Sequence, residues 1–320
     1  MIDLTVVSGP LGAGKTTWLL QQADLLECDL LVTNDVADVS IDDSILAPES
    51  AGAGRRTVCI AGGCVCCTAW PDLRNTLLQC VNEAHVGTSR RDRQVLLEVS
   101  GAAEPDQLLR RLTDDPVLGA NVRVARLTVV LDGSDAVRGL RHEAAVRTQV
   151  SVADEVVLTR ADVVSPTDLR HAAGVVRGLR PDLRLTATAR GADHPLGPVV
   201  PEVLLVGDDV DGAVGGLSTL AVRLSARTRW AEYALWLHAM TRRHPAGLVR
   251  SKGYVTTPAG RALVQSVGAA ITVELVATAA VDPDSRSGPT DMTYVLRGLD
   301  RDQVRASLSQ WVPSAGAADD

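Results

Sequence analysis

The stretch Gly9-Pro10-Leu11-Gly12-Ala13-Gly14-Lys15-Thr16 matches the pattern G-x-x-x-x-G-K-[ST]. It follows an apolar run at residues 4–7 and opens a helix-like segment, and this strand–loop–helix setting distinguishes it from an ordinary glycine-rich turn, which is the alternative. Glycines allow successive backbone N–H groups to curl around a phosphate, and the amino end of a helix adds partial positive charge. The stretch therefore predicts a nucleotide-phosphate loop, with Gly9, Gly12, Ala13 and Gly14 supplying its backbone.

Three side chains of this loop have expected roles in triphosphate binding and hydrolysis. Lys15 is expected to reach the β- and γ-phosphates, Thr16 to bind Mg²⁺, and Thr17 to lie near the α-phosphate. The chain has 32 basic residues, and only Lys15 and Lys252 are lysines. A chain that otherwise uses arginine retains lysine at residue 15, where a compact ammonium and a guanidinium are not interchangeable.

The rest of the first 191 residues alternates short apolar runs with helical segments. This alternation predicts an α/β fold with a mostly parallel sheet flanked by helices, because continuously apolar strands need helices on both faces. Together with the phosphate loop, it indicates a fold of the P-loop NTPase type. The predicted strands are residues 4–7, 30–33, 95–99, 127–131, 156–158 and 183–186, and the predicted helices are residues 70–85, 105–112 and 166–179.

A second domain is expected after a composition change. Residues 192–216 are rich in Gly, Pro, Asp and Val and are interpreted as a linker, with strand content as the alternative. A smaller α+β C-terminal domain is predicted over residues 217–313, followed by a frayed tail at residues 314–320. Its predicted strands are residues 221–224, 253–256, 271–277 and 293–296, and its predicted helices are residues 230–243 and 301–311.

Composition excludes several classes of protein. The chain of 320 residues is 46% hydrophobic and 22% charged, which argues against disorder and a coiled coil. Its net charge is -7 without a concentrated basic block, so no nucleic-acid partner is expected. No apolar run is long enough to span a bilayer, and the first residues lack a basic, cleavable leader, so the interpretation is a cytoplasmic protein without a membrane partner.

A magnesium-side carboxylate is expected at the end of a neighbouring buried strand. The run Val95-Leu96-Leu97-Glu98-Val99-Ser100-Gly101 supplies Glu98, and Gly101 allows a close turn near the γ-phosphate. A solvated glutamate at a strand end is the alternative. Glu98 and Gly101 therefore join Lys15 and Thr16 as predicted catalytic residues.

The base is expected to be guanine. Guanine presents two donors on one edge, which a single carboxylate accepts, and adenine does not present that pair. Thr159-Arg160-Ala161-Asp162 follows an apolar run and is a variant of the N-K-x-D guanine signature. Asp162 is predicted to select the base, and Thr159 and Arg160 depart from the signature, although an arginine stem can cover a base face.

Three cysteines form the second motif. Cys64, Cys66 and Cys67 lie in Gly62-Gly63-Cys64-Val65-Cys66-Cys67, and thiolates at this spacing suit Zn²⁺, Cu(I) or a borderline ion such as Co²⁺. Three thiolates leave a fourth position open, which favours metal transfer over a closed structural site. A buried cysteine cluster and a redox switch are the alternatives, and the strain of pairing adjacent Cys66 with Cys67 favours metal. Cys28 and Cys80 are expected to be buried small hydrophobes.

These motifs together resemble the CobW-type P-loop GTPases, a group that includes zinc-transferring metallochaperones. The phosphate loop, G-C-V-C-C at residues 63–67, residues 98–101 and residues 153–162 follow one another in the family's order. In the second domain, residues 247–253 and 296–300 look like the family's C-terminal module. The cysteine motif after a phosphate loop is highly specific, whereas the C-terminal matches alone are weak.

The resemblance implies a GTPase that binds a transition metal through the three cysteines and delivers it to a client metalloprotein. Zinc is the expected metal and cobalt the alternative, with GTP and Mg²⁺ as cofactors. The family's switch segment, N-E-x-G-E-x-x-x-D, falls on residues 34–42, which places Asp35 and Asp38 as candidate ligands of the transferred metal and Asp42 beside Mg²⁺. Both glutamates of that pattern are aspartates here, with side chains one methylene shorter.

Two other functions stay open from the sequence, and so does the oligomeric state. A redox-sensing nucleotide-binding regulator would use the same thiols to form a disulfide rather than to hold metal. A P-loop kinase for a small molecule would have no evident use for the cysteines. Bound metal under reducing conditions would separate the first of these from a metallochaperone.

Overall fold

Apolar runs and amphipathic segments form two compact units, Met1–Asp209 and Val210–Asp320, in the computed structural model. The structure describes residues 1–34, 55–86, 92–101, 103–190, 192–202, 217–225, 228–267, 270–275 and 290–312. Within those ranges, no helix combines the length and apolarity that crossing a bilayer requires.

In its described residues, the first unit contains one eight-stranded sheet and seven helices. Its strands are β1 (Ile2–Ser8), β2 (Leu30–Asn34), β3 (Arg56–Ile60), β4 (Arg93–Glu98), β5 (Val122–Asp132), β6 (Glu155–Thr159), β7 (Arg184–Ala189) and β8 (Ala192–His194). Its helices are α1 (Lys15–Leu25), α2 (Trp70–Val86), α3 (Pro105–Asp114), α4 (Leu118–Asn121), α5 (Ala136–His142), α6 (Ala144–Val152) and α7 (Pro166–Leu179).

The strand order is β3-β2-β4-β1-β5-β6-β7-β8, and all neighbours are parallel except β7 and β8. Strands β2 and β6 are buried at every residue, as expected for strands covered on both faces. One apolar cluster packs Trp18 and Leu19 of α1 against Val7, Leu31 and Leu96 of three strands. A second cluster packs α5, α6 and α7 on β5, β6 and β7. The predicted mostly parallel α/β fold is confirmed.

This topology gathers the candidate residues along one edge of the sheet. The phosphate loop follows β1, Glu98 ends β4, Thr159 ends β6, and the cysteine loop follows β3. Because the carboxyl ends of parallel strands share one edge, all four segments lie there, and ligands of open α/β sheets bind at that edge.

The described part of the second unit is an antiparallel sheet with two helices. Its elements are β9 (Leu217–Leu224), α8 (Trp230–Arg243), β10 (Leu248–Thr257), β11 (Gly260–Val267), β12 (Ala270–Leu275), β13 (Thr290–Arg297) and α9 (Arg301–Trp311), with strand order β12-β11-β10-β13-β9. Trp236 of α8 meets Tyr294 of β13 edge to face at 5.5 Å between ring centroids. The Tyr294 hydroxyl donates to the buried Tyr233 hydroxyl at 3.3 Å, and burial raises the pKa of both phenols.

At the start of the predicted linker the structure has the strand content that was the alternative. The segment predicted to connect the domains begins at residue 192, yet Ala192–His194 form β8 and pair with β7 as an antiparallel edge strand. Residues 203–216 lie outside the described ranges. Strands β3 and β11 and helices α4, α5 and α6 were not predicted.

Candidate functional site

The phosphate loop has the backbone that its glycines predict. Gly9, Gly12 and Gly14 all have positive φ, at 138°, 77° and 86°, a region that favours glycine. A Cβ at Gly9 would overlap the carbonyl oxygen of Val130, so only glycine fits there. Ala13 is buried inside the loop. The loop therefore forms a backbone cradle at the amino end of α1, suited to a phosphate.

Lys15, Thr16 and Glu98 converge beside this cradle. Lys15 is 6% exposed, and its Nζ donates to the Pro10 carbonyl oxygen across the loop at 3.0 Å. The Thr16 hydroxyl donates to Glu98 Oε1 at 3.0 Å, and Glu98 is also buried. A hydroxyl and a carboxylate at hydrogen-bond distance are oxygen donors of the kind Mg²⁺ prefers. The donor set therefore fits a magnesium ion beside the phosphates.

Gly101 lies directly against the phosphate loop. A Cβ built at Gly101 would stand 2.7 Å from the Leu11 amide nitrogen and 3.2 Å from the Pro10 carbonyl carbon. Backbone atoms cannot move aside as a flexible side chain can. Gly101 therefore sets how closely the segment after β4 approaches the cradle.

We expect Gly101→Ala to weaken nucleotide binding and to destabilise the first unit by about 1–3 kcal/mol, the usual cost of overpacking. The matched control is Gly139→Ala in α5, where a Cβ would meet Val146 at an ordinary 3.7 Å. Thermal unfolding and titration with a fluorescent guanine nucleotide measure both effects. Equal behaviour of the two variants would contradict this assignment.

A cleft of about 390 Å³ beside α1 contains the three predicted base-side residues Thr159, Arg160 and Asp162. Its lining residues are Gly14, Thr17, Trp18, Gln21, Thr159, Arg160, Asp162, Val163, Thr188 and Arg190. Asp162 forms an ion pair with Arg190 at 3.2 Å, and the Arg190 side chain is 91% exposed. Such an exposed pair is weak, so the carboxylate can exchange this partner for a ligand.

Thr159 and Arg160, which depart from the guanine signature, both bind the phosphate loop. The Thr159 hydroxyl donates to the Ala13 carbonyl oxygen at 2.7 Å, and Arg160 donates to the Gly12 carbonyl oxygen at 3.0 Å. Arg160 also pairs with Asp132 at the end of β5. These two residues therefore join the base-side loop to the phosphate cradle.

The cysteine loop runs from β3 to α2 and brings three sulfurs together. The Sγ atoms of Cys64, Cys66 and Cys67 all lie within 4.8 Å of one another. The amides of Cys67 and Ala69 donate to the Cys64 carbonyl oxygen at 2.9 and 3.1 Å, which turns the chain back toward the cluster. Cys66 is 2% exposed, whereas Cys67 is exposed. This geometry fits a soft metal ion bound from one side and open on the other.

A disulfide joins Cys64 and Cys66 in this structure, whereas the sulfurs of adjacent Cys66 and Cys67 lie 3.6 Å apart. The strain predicted for an adjacent pair therefore does not exclude a disulfide in this motif. The turn that the Cys67 amide closes on the Cys64 carbonyl oxygen brings the Cα atoms of Cys64 and Cys66 to 5.3 Å, and this places their sulfurs together. Binding of metal requires both sulfurs as thiolates, so oxidation of this pair and metal binding exclude each other.

The other described cysteines stand apart from this cluster. Cys28 and Cys80 are buried, as predicted, and Cys59 is exposed in β3. Burial raises the pKa of the Cys28 thiol to about 11 and also raises that of Cys80. Both therefore stay protonated at neutral pH, and neither offers a thiolate to a metal.

The phosphate cradle and the cysteine cluster belong to the same unit. From β3 to β1 the sheet has three strand steps, which amount to about 14 Å across the sheet. Strand β2, ending at Asn34, and strand β4, ending at Glu98, lie between them. The predicted switch aspartates Asp35, Asp38 and Asp42 lie outside the described residues.

Sequence reasoning missed three residues that shape this edge. Asn34 holds the cysteine loop, Gln21 donates to the Arg190 carbonyl oxygen at 3.2 Å, and Asp132 pairs with Arg160. Asn34 and Asp132 each end a buried strand, a position that could have drawn attention to them. Gln21 has no such signal, because it becomes part of the cleft only through the fold.

Family profiles match both units. The profile of the CobW/HypB/UreG nucleotide-binding domain matches residues 3–186, and that of the cobalamin synthesis protein CobW C-terminal domain matches residues 217–312. The zinc chaperone YjiA of Escherichia coli (strain K12) is 26% identical over 173 residues, 53% of this chain and 52% of that protein. The zinc chaperone CobW of Sinorhizobium sp is 28% identical over 198 residues, 53% of each chain.

A eukaryotic relative and a solved structure extend this comparison. The zinc-regulated GTPase metalloprotein activator 1 of Dictyostelium discoideum is 24% identical over 220 residues, 58% of this chain and 45% of that protein. The matches thus span about half the length of the curated relatives. The Zn(II)-bound YjiA GTPase from E. coli has a TM-score of 0.60 at 19% identity over 97% of this chain and 98% of that one, which shows a common fold. The chain belongs to the CobW/HypB/UreG nucleotide-binding family and carries the CobW C-terminal domain.

Proposed function

We propose that this protein is a Mg²⁺-dependent GTP hydrolase that binds a transition metal, zinc foremost, at Cys64, Cys66 and Cys67 and transfers it to a client metalloprotein. The observation that carries the proposal is the cluster of three sulfurs at the same sheet edge as the phosphate cradle. Relatives named as zinc chaperones and as a zinc-regulated GTPase support it.

The nucleotide site assigns roles by position. The cradle of Gly9, Gly12, Ala13 and Gly14 would hold the phosphates through backbone N–H groups, and Lys15 would leave the Pro10 carbonyl to neutralise charge on the β- and γ-phosphates. Thr16 and Glu98 would hold Mg²⁺, which supplies further neutralisation of the phosphate charge. Thr17, which lines the base-side cleft, would lie near the α-phosphate.

The cysteine cluster has the donors of a transfer site. Three thiolates satisfy the soft-ligand preference of zinc, with cobalt as a second candidate, and leave one coordination position for a ligand from the client. The exposed Cys67 marks the side from which a client thiol or imidazole can approach. Ligand exchange at such an open site needs no prior release of the ion into water.

The direct test is the metal content and nucleotide turnover of reduced, purified protein. We expect one zinc per chain, removed by a strong chelator, together with Mg²⁺-dependent release of phosphate from GTP in preference to ATP. Absence of stoichiometric metal in fully reduced protein would contradict the chaperone function. A redox regulator is the second candidate, favoured by the Cys64–Cys66 disulfide, and such a protein would remain metal-free while its nucleotide turnover followed the thiol state.

Asp162→Asn is expected to lower GTP affinity by about 10- to 100-fold, because charge-assisted hydrogen bonds contribute about 1.5–3 kcal/mol. An amide cannot accept both guanine donors as a carboxylate does, so the preference for GTP over ATP should fall toward parity. The control is Asp168→Asn, an exposed aspartate in the first turn of α7. Competition between the two nucleotides measures the preference, and an unchanged GTP-to-ATP ratio would show that Asp162 does not read the base.

A further inference from the structure

The Asn34 side chain makes three hydrogen bonds to the segment that runs from the end of β3 into the cysteine loop. Asn34 ends β2 and is 6% exposed. Its Nδ2 donates to the carbonyl oxygens of Ile60 at 3.0 Å and Gly63 at 2.7 Å, and its Oδ1 accepts from the Val65 amide at 3.2 Å. One carboxamide therefore binds the chain at three points, from the end of β3 into the cysteine motif.

Two of these points lie on either side of Cys64. Because Gly63 and Val65 are both held, the backbone that carries Cys64 has little freedom to rotate. The Val65 side chain is fully buried, and this packing further restricts the backbone next to Cys64. The Cys64 carbonyl oxygen then accepts the amides of Cys67 and Ala69. The position of all three sulfurs thus depends on a turn whose first residues Asn34 fixes.

The end of β2 also lies beside the predicted magnesium residues. Thr33, next to Asn34 in β2, is in register with Glu98 of β4, and Glu98 accepts from the Thr16 hydroxyl. Successive strand ends therefore join the predicted magnesium residues to Asn34, and Asn34 to the cysteine loop. A small shift of the end of β2 would move the Asn34 carboxamide and, with it, the backbone around Cys64.

We propose that Asn34 is the positioning residue of the cysteine site and that it conveys the nucleotide state from the end of β2 to the sulfur cluster. This inference rests on the proposed metal-binding function. The chemistry demands a carboxamide, because the side chain must donate to two carbonyls and accept from one amide at once. Aspartate retains only the acceptor, and alanine has neither group.

The test compares Asn34→Ala and Asn34→Asp with the control variant Asn121→Asp. Asn121 ends α4 just before β5 begins, so it lies at the amino ends of the strands, away from the cysteine loop. Zinc affinity is measured by chelator competition in the presence of GDP and of a non-hydrolysable GTP analogue. Both Asn34 variants are expected to bind zinc about 10- to 100-fold more weakly, the usual effect of losing a supporting group around a metal site. Their zinc affinities in the two nucleotide states should also converge.

Two further measurements separate positioning from general support of the fold. The affinity of the metal-free protein for GTP should be unchanged, and the cobalt(II)-thiolate absorption band should change in shape or intensity only in the Asn34 variants. Unchanged zinc affinity and an unchanged cobalt spectrum would overturn the inference. Loss of folding in both Asn34 variants would also overturn it, because Asn34 would then support the whole strand end.

Failure of the proposed function would be recognised separately. If the reduced wild-type protein binds no metal, the metallochaperone function fails, and the Asn34 inference is tested on the disulfide. The fraction of Cys64–Cys66 disulfide in glutathione buffers is then measured by alkylation and mass spectrometry. Positioning by Asn34 predicts a different oxidised fraction in the Asn34 variants than in the wild type and in Asn121→Asp, and equal fractions would overturn it.

Discussion

Replacing Lys15 with alanine is expected to lower GTP hydrolysis by at least about 100-fold, the effect of removing one preorganised charge stabiliser from an active site. The Lys15 side chain is buried at the cradle, and its ammonium already lies against the loop, where it donates to the Pro10 carbonyl oxygen. Phosphate release at saturating GTP measures the rate, and titration with a fluorescent guanine nucleotide measures the affinity, which should also fall.

The chain offers a matched control for this prediction. Lys252, the second of its two lysines, lies in β10 of the other unit, so Lys252→Ala should leave hydrolysis unchanged. Lys15→Arg is also expected to be inactive, because the larger planar guanidinium does not fit a site that leaves the lysine 6% exposed. Full activity of either Lys15 variant would contradict the assignment of the cradle.

Cys66→Ala is expected to lower zinc affinity by at least about 100-fold, more than any other variant described here. Loss of a group that only supports a metal ligand already lowers metal affinity by about 10- to 100-fold, and this variant removes a ligand itself. Cys66 is the most buried of the three cysteines, and its sulfur lies 3.6 Å from that of Cys67 and is joined to that of Cys64. Zinc competition with a chromophoric chelator under reducing conditions measures the loss. Nucleotide binding without metal should be retained.

Cys59→Ala controls for the general effect of losing a thiol. Cys59 is an exposed cysteine of β3, shortly before the cysteine loop and outside the cluster of three. The zinc affinity of the Cys59→Ala variant should equal that of the wild type. If Cys59→Ala and Cys66→Ala lost affinity equally, metal binding would be a property of reactive thiols in general and the three-cysteine site would be wrong.

The elements that the sequence predicted well are those whose local signals agree with the fold. Helices at residues 166–179, 230–243 and 301–311 were predicted with the bounds that the structure has for α7, α8 and α9. The first of these begins with Ser165 as a cap and a proline in its first turn. Buried strands such as β2 and β6 follow equally from their continuous apolar runs.

The missed elements depend on pairing rather than on pattern. Strand β3 is short, alternates exposed and half-buried residues and lies at the sheet edge, so only its pairing with β2 identifies it. Strand β8 has three residues and forms only because the chain reverses direction after β7 and pairs with it. Strand β11 follows β10 through a tight turn in which Gly260 has positive φ. Local propensity carries little information about such edge strands.

The site was predictable as motifs and not as a connected surface. The phosphate loop, Glu98, Asp162 and the three cysteines each carry a sequence signal, and the fold brings them to one edge. The hydrogen bonds of Asn34 and Thr159 to segments distant along the chain were not predictable, because each joins loops that follow different strands. Asn34 begins the switch segment, in which only the aspartates were predicted as ligands, so its own contacts with the cysteine loop were not expected.

The shared sheet edge and the connection through Asn34 predict that the nucleotide cycle changes the affinity of the cysteine site for metal. This claim is tested most directly by zinc titration of one reduced preparation with a non-hydrolysable GTP analogue, with GDP and with no nucleotide. Linkage requires that metal change nucleotide affinity by the same factor, which provides an internal check from the reverse titration. We predict zinc affinities that differ between the GTP and GDP states by at least about fivefold, the lower end of typical coupling. Identical affinities in all three states would contradict the claim.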